Sequence, residues 1–207
     1  MIELYVSALV TFFVVIDPLG CAPIFAGLTA GASAAHRRGQ ALRAVAIAAA
    51  ILLVFAAFGE DLLRGLGIEL ASFRIAGGIM LFLIALEMVF ERRTQRREDR
   101  AAKVAEANEE DVSVFPMAMA MPMIAGPGSI ASVMLTSARH PGLERHLVVL
   151  AAMATILALT LVALVAAGPL MRLLGARIEA VITRLLGVLL AALAVQFVLD
   201  GVAVKLG

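Results

Sequence analysis

Long apolar runs alternate with short polar stretches along the whole chain. Three of the runs, at 44–59, 112–138 and 147–171, contain no charged residue. A helix needs roughly 20 residues to cross the hydrocarbon core of a bilayer. The pattern predicts an all-α, polytopic membrane protein with six transmembrane helices, at about Leu4–Leu28, Gln40–Phe58, Ser72–Phe90, Val114–Ala138, Arg145–Ala167 and Glu179–Val204. Short amphipathic connectors are predicted at 62–70 and 170–177.

Helix-breaking residues interrupt the first and fourth of these spans near their middle. Asp17–Pro23 contains two prolines and a glycine, and Pro122–Gly128 contains two prolines and two glycines. Proline removes a backbone donor and clashes with the preceding turn. In lipid the freed backbone groups find no water, so such a break is tolerated only inside protein or beside a wet cavity. Paired breaks in two halves of a chain indicate a transporter binding site.

The two halves correspond weakly at an offset of about 109 or 110 residues. The matched positions are Pro18 with Pro127, Gly59 with Gly168, Arg74 with Arg184, and Gly77 with Gly187. Because each half has three spans, an odd number, the second half must be inverted relative to the first. We therefore expect a single transmembrane domain, 1–207, with repeat one at 1–91, a cytoplasmic loop at 92–113 and repeat two at 114–207.

The distribution of basic residues predicts the orientation. Of the 17 lysines and arginines, twelve fall on one side of the predicted topology and five on the other. The richer side should be cytoplasmic. We expect a multi-pass protein of a bacterial or archaeal inner membrane, with both termini outside. The net charge of +1, with no basic stripe, argues against a nucleic-acid partner.

The breaks supply the candidate binding residues. A half-helix N-terminus carries unpaired N–H groups and attracts anions. The opposite half-helix ends in carbonyls that suit an ammonium group or a sodium ion. Hydroxyls at roughly one-turn spacing, including Thr136, can add further contacts. The predicted substrate-binding residues are Asp17, Pro18, Gly20, Gly126, Pro127, Gly128, Ser129 and Ser132.

Asp17 is the carboxylate that the pattern places near the membrane midplane. It can carry a proton, bind the coupling cation or pair with an ammonium group, as ionisable residues within spans commonly do. Because Pro18 follows it, Asp17 can equally be a helix N-cap with no further role. The lone cysteine, Cys21, reads most simply as a small buried residue.

Three further charged residues are candidates for a gate. Arg74 and Arg184 open spans three and six, and Glu87 lies near the far end of span three. Each can instead be interfacial, with the arginines reaching toward water along their own helices. No nucleophile–base pair is evident within a span, so the chain is not expected to be an enzyme. Histidines and methionines lack ligand spacing, and neither a metal nor a cofactor is expected.

Three stretches together resemble the MarC family of integral membrane proteins, which includes the SnatA-type transporters. They are 16–25, from Ile16-Asp17-Pro18 onward, 73–82, which contains Arg74 and Gly77, and 121–130, around Pro127. The resemblance extends over essentially the whole chain. It implies six spans and uptake of small neutral amino acids, such as glycine and alanine, driven by a proton or sodium gradient. The alternatives are an exporter or channel for another small solute, or an intramembrane enzyme. The partners are then a small solute and the lipid bilayer, and a homo-oligomer remains open.

Overall fold

A computed structural model describes residues 1–29, 31–90, 124–139 and 142–206, with the backbone alone at 171–177 and 179. All regular secondary structure in these ranges is helical, which confirms the all-α prediction for the described part of the chain. The described helices are α1 (Ile2–Ile16), α2 (Pro18–Leu28), α3 (Ala34–Gly65), α4 (Leu70–Val89), α5 (Pro127–Arg139), α6 (Leu143–Val165) and α7 (Ala167–Leu206).

Five stretches of the described chain are long and apolar enough to cross a bilayer. They are Ile2–Leu28, Ala34–Gly65, Leu70–Val89, Leu143–Val165 and Ala180–Leu206. They coincide with predicted spans one, two, three, five and six. The fourth predicted span begins outside the described residues, which include only its end as α5. Both the total of six and the 92–113 loop therefore stay predictions.

The first predicted connector is shorter than expected, and the second is part of a helix. At 62–70, α3 continues past Gly59 to Gly65, and residues 66–69 lead to the start of α4. In the last turns of α3, the exposed Arg64 lies 3.7 Å from Glu60 and from Asp61. At 170–177 the backbone is helical, since α7 begins at Ala167. Pro169 lies in its first turn, where a missing N–H costs nothing, and so begins a helix rather than ending one.

The broken span is the most central helix of the described bundle. In its most apolar window, 72% of Ile2–Leu28 is buried, against 28–44% for the other four spans. Those four present large apolar side chains outward, among them Phe58, Leu83, Val162 and Leu185. An apolar exterior is what a lipid-facing surface requires. The central position of the broken span places its irregular backbone inside protein, as a bilayer demands.

The helix contacts follow a reciprocal arrangement. The second half of the broken span, α2, packs on α6 and α7, whereas α5 packs on α3 and α4. The helices α3 and α6 also contact each other. The most extensive interface joins α4 to α7. Each half of the described chain thus covers the short helix of the other half.

The α4–α7 interface is antiparallel and is built on small residues. Gly201, near the end of α7, faces Ala71 near the start of α4, while Gly187 faces Ala85 near the end of α4. Between them, a Cβ atom added at Gly78 would lie 2.8 Å from the carbonyl oxygen of Ala194. Small residues at such positions let two helix backbones approach closely, which is the usual means of packing helices in membranes.

Candidate functional site

The first break is confined to one residue, Asp17. Its backbone is left-handed, with φ 57° and ψ 69°, and it joins α1 directly to α2. Helix α1 cannot continue through Pro18, which lacks an N–H group and would clash with the preceding turn. Aspartate is among the few residues that adopt left-handed geometry readily. The predicted break is therefore confirmed, although it is narrower than the 17–23 stretch that suggested it.

The Asp17 carboxylate is buried, with 2% of the residue exposed, and it caps α2. The amide nitrogen of Gly20 donates a 3.0 Å hydrogen bond to its Oδ1 atom. On the other side of the break, the Cys21 thiol donates to the carbonyl oxygen of Ile16 at 3.5 Å. The capping role of Asp17 is thus confirmed, and its coupling role stays a prediction. The anion site expected at the N-terminus of α2 is already occupied by this side chain.

The end of the second predicted break precedes α5. Pro127 is the first residue of that helix, and the carbonyl oxygen of Gly126 accepts its first bond from the Ile130 amide at 3.0 Å. Gly126 is half-buried and Pro127 is exposed, whereas Gly128 is buried. Residues 121–123, which include Pro122, lie outside the described residues.

The start of α5 and the end of α1 meet at Gly128 and Val15. A Cβ atom added at Gly128 would lie 3.6 Å from Cγ1 of Val15, which stands two residues before Asp17. It would also lie 2.5 Å from Cδ1 of Ile84 and 3.5 Å from Cδ2 of Leu81 on α4. The first turn of α5 is therefore placed against the end of α1. It is held there by close packing on α4.

The predicted hydroxyl residues of α5 all face the protein interior. Ser129, Ser132 and Thr136 are each at most 7% exposed. Their spacing of three and four residues puts them on one side of the helix. The Oγ atom of Ser132 is buried and has no hydrogen-bond partner among the described residues. A buried hydroxyl without a partner is costly, so Ser132 is the hydroxyl most available to a polar ligand.

The two candidate gate arginines lie at opposite ends of the α4–α7 interface. Because α4 and α7 are antiparallel, Arg74 lies beside Gly201, whereas Arg184 lies one turn before Gly187, which faces the opposite end of α4. Glu87 is near that same opposite end and is half-buried. If these arginines act at gates, they act at the two opposite ends of the bundle.

A charged cluster near the start of α4 was not predicted from the sequence. Arg139, the last residue of α5, forms an ion pair with Asp200 of α7, and their side chains are 24% and 31% exposed. The Arg139 guanidinium also stacks over the Phe197 ring, 4.3 Å from its centroid. The Gln196 amide donates to Oδ1 of Asp200 at 2.7 Å. The available signal was Asp200 itself, a carboxylate within a predicted span.

These features together define a polytopic α-helical integral membrane protein whose central helix is broken at a buried carboxylate. The chain belongs to the MarC family of integral membrane proteins, whose sequence profile matches residues 2–206.

Related proteins cover nearly the full length of the chain. It is 35% identical over 201 residues to the UPF0056 membrane protein MJ1677 of Methanocaldococcus jannaschii, covering 97% of each chain. It is 34% identical over 199 residues to YvbG of Bacillus subtilis, covering 96% of this chain and 93% of the relative. It is also 34% identical to the inner membrane protein YhgN of Escherichia coli, covering 95% of each. No solved structure matches the chain.

Proposed function

We propose that the protein is a secondary transporter of small neutral amino acids, such as glycine and alanine, coupled to a proton or sodium gradient. The observation that carries the proposal is the burial of the Asp17 carboxylate at a left-handed break in the most buried span. An ionisable group at such a position is costly in a membrane protein and usually serves transport.

The N-terminus of α5 is the proposed site for the substrate carboxylate. Its first-turn amides, at Gly128 and Ser129, carry the positive end of the helix dipole. In α2 the corresponding place is taken by Asp17, so α5 offers the remaining helix start of the two. The buried Ser132 hydroxyl lies one turn further along and lacks a partner. It is the proposed additional hydrogen-bonding group for the substrate.

Asp17 and the carbonyl end of α1 are the proposed partners of the substrate ammonium group or the coupling cation. The contact between Gly128 and Val15 supports this pairing, because it brings the start of α5 beside the end of α1. A small amino acid placed between them would have its carboxylate toward one broken span and its ammonium group toward the other. The close packing around Gly128 favours small side chains over large ones.

A 3+3 inverted repeat of six spans is the proposed architecture. The packing of α2 on α6 and α7, against that of α5 on α3 and α4, supports it. Exchanging the two halves of the chain converts one set of contacts into the other. Under this proposal α5 is the second half of span four, as α2 is the second half of span one. Alternating access would then expose the region between the two breaks to one side at a time.

The proposed location is the inner membrane, with both termini outside. The excess of lysine and arginine on the opposite side supports this orientation.

Uptake of labelled glycine and alanine into proteoliposomes under an imposed proton or sodium gradient tests the proposal. We expect saturable accumulation above the external concentration with one of the two gradients. Leucine at the same concentrations should show no saturable uptake, because the proposed binding site favours small side chains. Flux that neither saturates nor responds to a gradient would instead favour a passive channel. Absence of glycine and alanine flux in both directions would overturn the proposed substrate.

A further inference from the structure

The charged cluster at the start of α4 contains more positive than negative charge. Burial lowers the pKa of the Arg139 guanidinium, and the positive charge of Arg74 lowers it further. Asp200 is the carboxylate of the cluster, and it forms its ion pair with Arg139. Among the described residues Arg74 has no ion-pair partner, and its Nε atom is buried without a hydrogen bond. Two like charges away from bulk water are costly unless an anion joins them.

The backbone brings Arg74 to this position. Gly201, the neighbour of Asp200, has no side chain, and a Cβ atom there would lie 3.1 Å from Cβ of Arg74 and 2.9 Å from the Ala71 carbonyl oxygen. The start of α4 therefore lies directly against the part of α7 that carries Asp200. Arg74 therefore belongs to the α4 side of the cluster, and Arg139 to the α5 side.

Asp200 is fully engaged by its other neighbours. Its Oδ2 atom pairs with Arg139, and its Oδ1 atom accepts the 2.7 Å hydrogen bond from the Gln196 amide. Phe197 fixes the plane of the Arg139 guanidinium from one face. Guanidinium groups held in place present paired N–H donors that match a planar carboxylate. Side-chain exposures of 24% and 31% for Arg139 and Asp200 leave the cluster within reach of a solute.

We propose that Arg74 and Arg139 form a binding site for the carboxylate of a small solute at the end of the bundle where α4 begins. The solute carboxylate pairs with Arg74 and competes with Asp200 for Arg139. Asp200 is the internal counter-ion of this site. The site lies on α4, α5 and α7, apart from the break at Asp17, and goes beyond the proposed transport function.

Acetate rescue of a variant without the internal carboxylate tests the site. The thermal unfolding of the purified protein can be followed with a maleimide dye that fluoresces on reaction with a thiol. The sequence has one cysteine, Cys21, and it is buried in the folded chain. Asp200→Ala should lower Tm, because it leaves two neighbouring guanidinium groups without a counter-ion. Sodium acetate at tens of millimolar should then raise Tm by roughly 3 °C or more over equal sodium chloride.

The arginine variants decide whether the acetate binds at this cluster. The acetate shift should disappear in Asp200→Ala combined with Arg74→Gln or with Arg139→Gln. It should persist in Asp200→Ala combined with Arg64→Gln, because the Arg64 side chain is 75% exposed. Equal acetate shifts in all these variants would overturn the proposal. If Asp200→Ala does not fold, Asp200→Asn takes its place, since the amide keeps the shape and loses the charge.

A lipid headgroup is the competing source of an anion. The same variants are therefore compared with and without phosphatidylglycerol in the micelle. Stabilisation by phosphatidylglycerol and none by acetate would overturn the proposal in favour of a lipid contact. Glycine uptake into proteoliposomes separates this site from the proposed transport function. A rise in Tm with acetate but no glycine uptake would support the arginine site and contradict glycine as the transported substrate. Glycine uptake without any rise in Tm with acetate would overturn the arginine site alone.

Discussion

The Asp17 carboxylate occupies the space that a side chain on Gly20 would need. A Cβ atom added at Gly20 would lie 2.8 Å from Cγ of Asp17, while the Gly20 amide donates a hydrogen bond to Oδ1 of the same group. Glycine is therefore required at this position for two reasons, since it both leaves room for the carboxylate and holds it in place. The geometry of the first break depends on this pair of residues.

Gly20→Ala should destabilise the protein, because the added methyl group displaces the carboxylate that caps α2. Loss of a cap costs about 0.5–2 kcal/mol. For a chain of this size that corresponds to a fall in Tm of roughly 1–8 °C. The measurement is the Tm of unfolding in detergent, monitored through the reaction of Cys21 with the thiol-reactive dye. Gly27→Ala, in the same helix, is the control, since nothing lies within 4 Å of its added methyl group. Equal Tm values for the two variants would contradict this role of Gly20.

Asp17→Asn separates the charge of this residue from its capping role. Asparagine caps helices about as well as aspartate and also tolerates left-handed geometry, so the fold should persist with little change in Tm. If Asp17 carries the coupling ion, gradient-driven accumulation of glycine should fall to the equilibrium level. Exchange of labelled for unlabelled glycine should continue. Uphill accumulation at the wild-type level in proteoliposomes would exclude Asp17 from coupling.

Ser132→Ala should reduce glycine uptake without destabilising the fold. The Oγ atom of Ser132 is buried without a hydrogen-bond partner among the described residues, so its removal forfeits no hydrogen bond within that part of the chain. We expect Tm to stay the same or rise slightly, and the KM for glycine to increase several-fold. Ser7→Ala, at an exposed position of α1, is the matched control. A fall in Tm with unchanged uptake would assign Ser132 a structural role.

Gly78→Ala should weaken the α4–α7 interface. The added methyl group would lie 2.8 Å from the backbone oxygen of Ala194 and 2.7 Å from Cγ2 of Val198. A backbone atom cannot rotate away, so the helices must separate. Such overpacking costs about 1–3 kcal/mol, or roughly 2–12 °C in Tm. Gly39→Ala in α3 has no neighbour within 4 Å of its added methyl group and should not lower Tm. An unchanged Tm for Gly78→Ala would show that the interface is looser than described.

Local chemistry made the first break predictable. Asp17-Pro18 dictates both the end of α1 and the cap of α2, because proline forbids a continuous helix and aspartate accepts the turn. Pro169 is less informative, because a proline in the first turn of a helix and a proline that follows a helix look alike in sequence. Whether Gly168-Pro169 closes α6 or opens α7 depends on the turn at Ala166, which no local pattern specifies.

Contacts between distant segments were beyond the reach of a single sequence. The ion pair of Arg139 with Asp200 depends on α5 packing near the end of α7, and apolar helices give little indication of their neighbours. The approach of Gly128 to Val15 has the same origin. Breaks and caps are local events, whereas the approach of the start of α5 to the end of α1 is a property of the whole bundle.

The glycine contacts between α4 and α7 restrict how the molecule can move. With Gly78 against the Ala194 carbonyl and Gly187 against that of Ala85, the two backbones approach closely at several levels of the interface. Sliding one helix along the other would drive carbonyl groups into Cα atoms at several levels at once. If the chain is an inverted repeat, the α4–α7 interface joins its two halves, and the halves would rotate about this interface without sliding along it. The movements of the proposed transport cycle would then occur in the short helices α2 and α5, each of which begins at a proline.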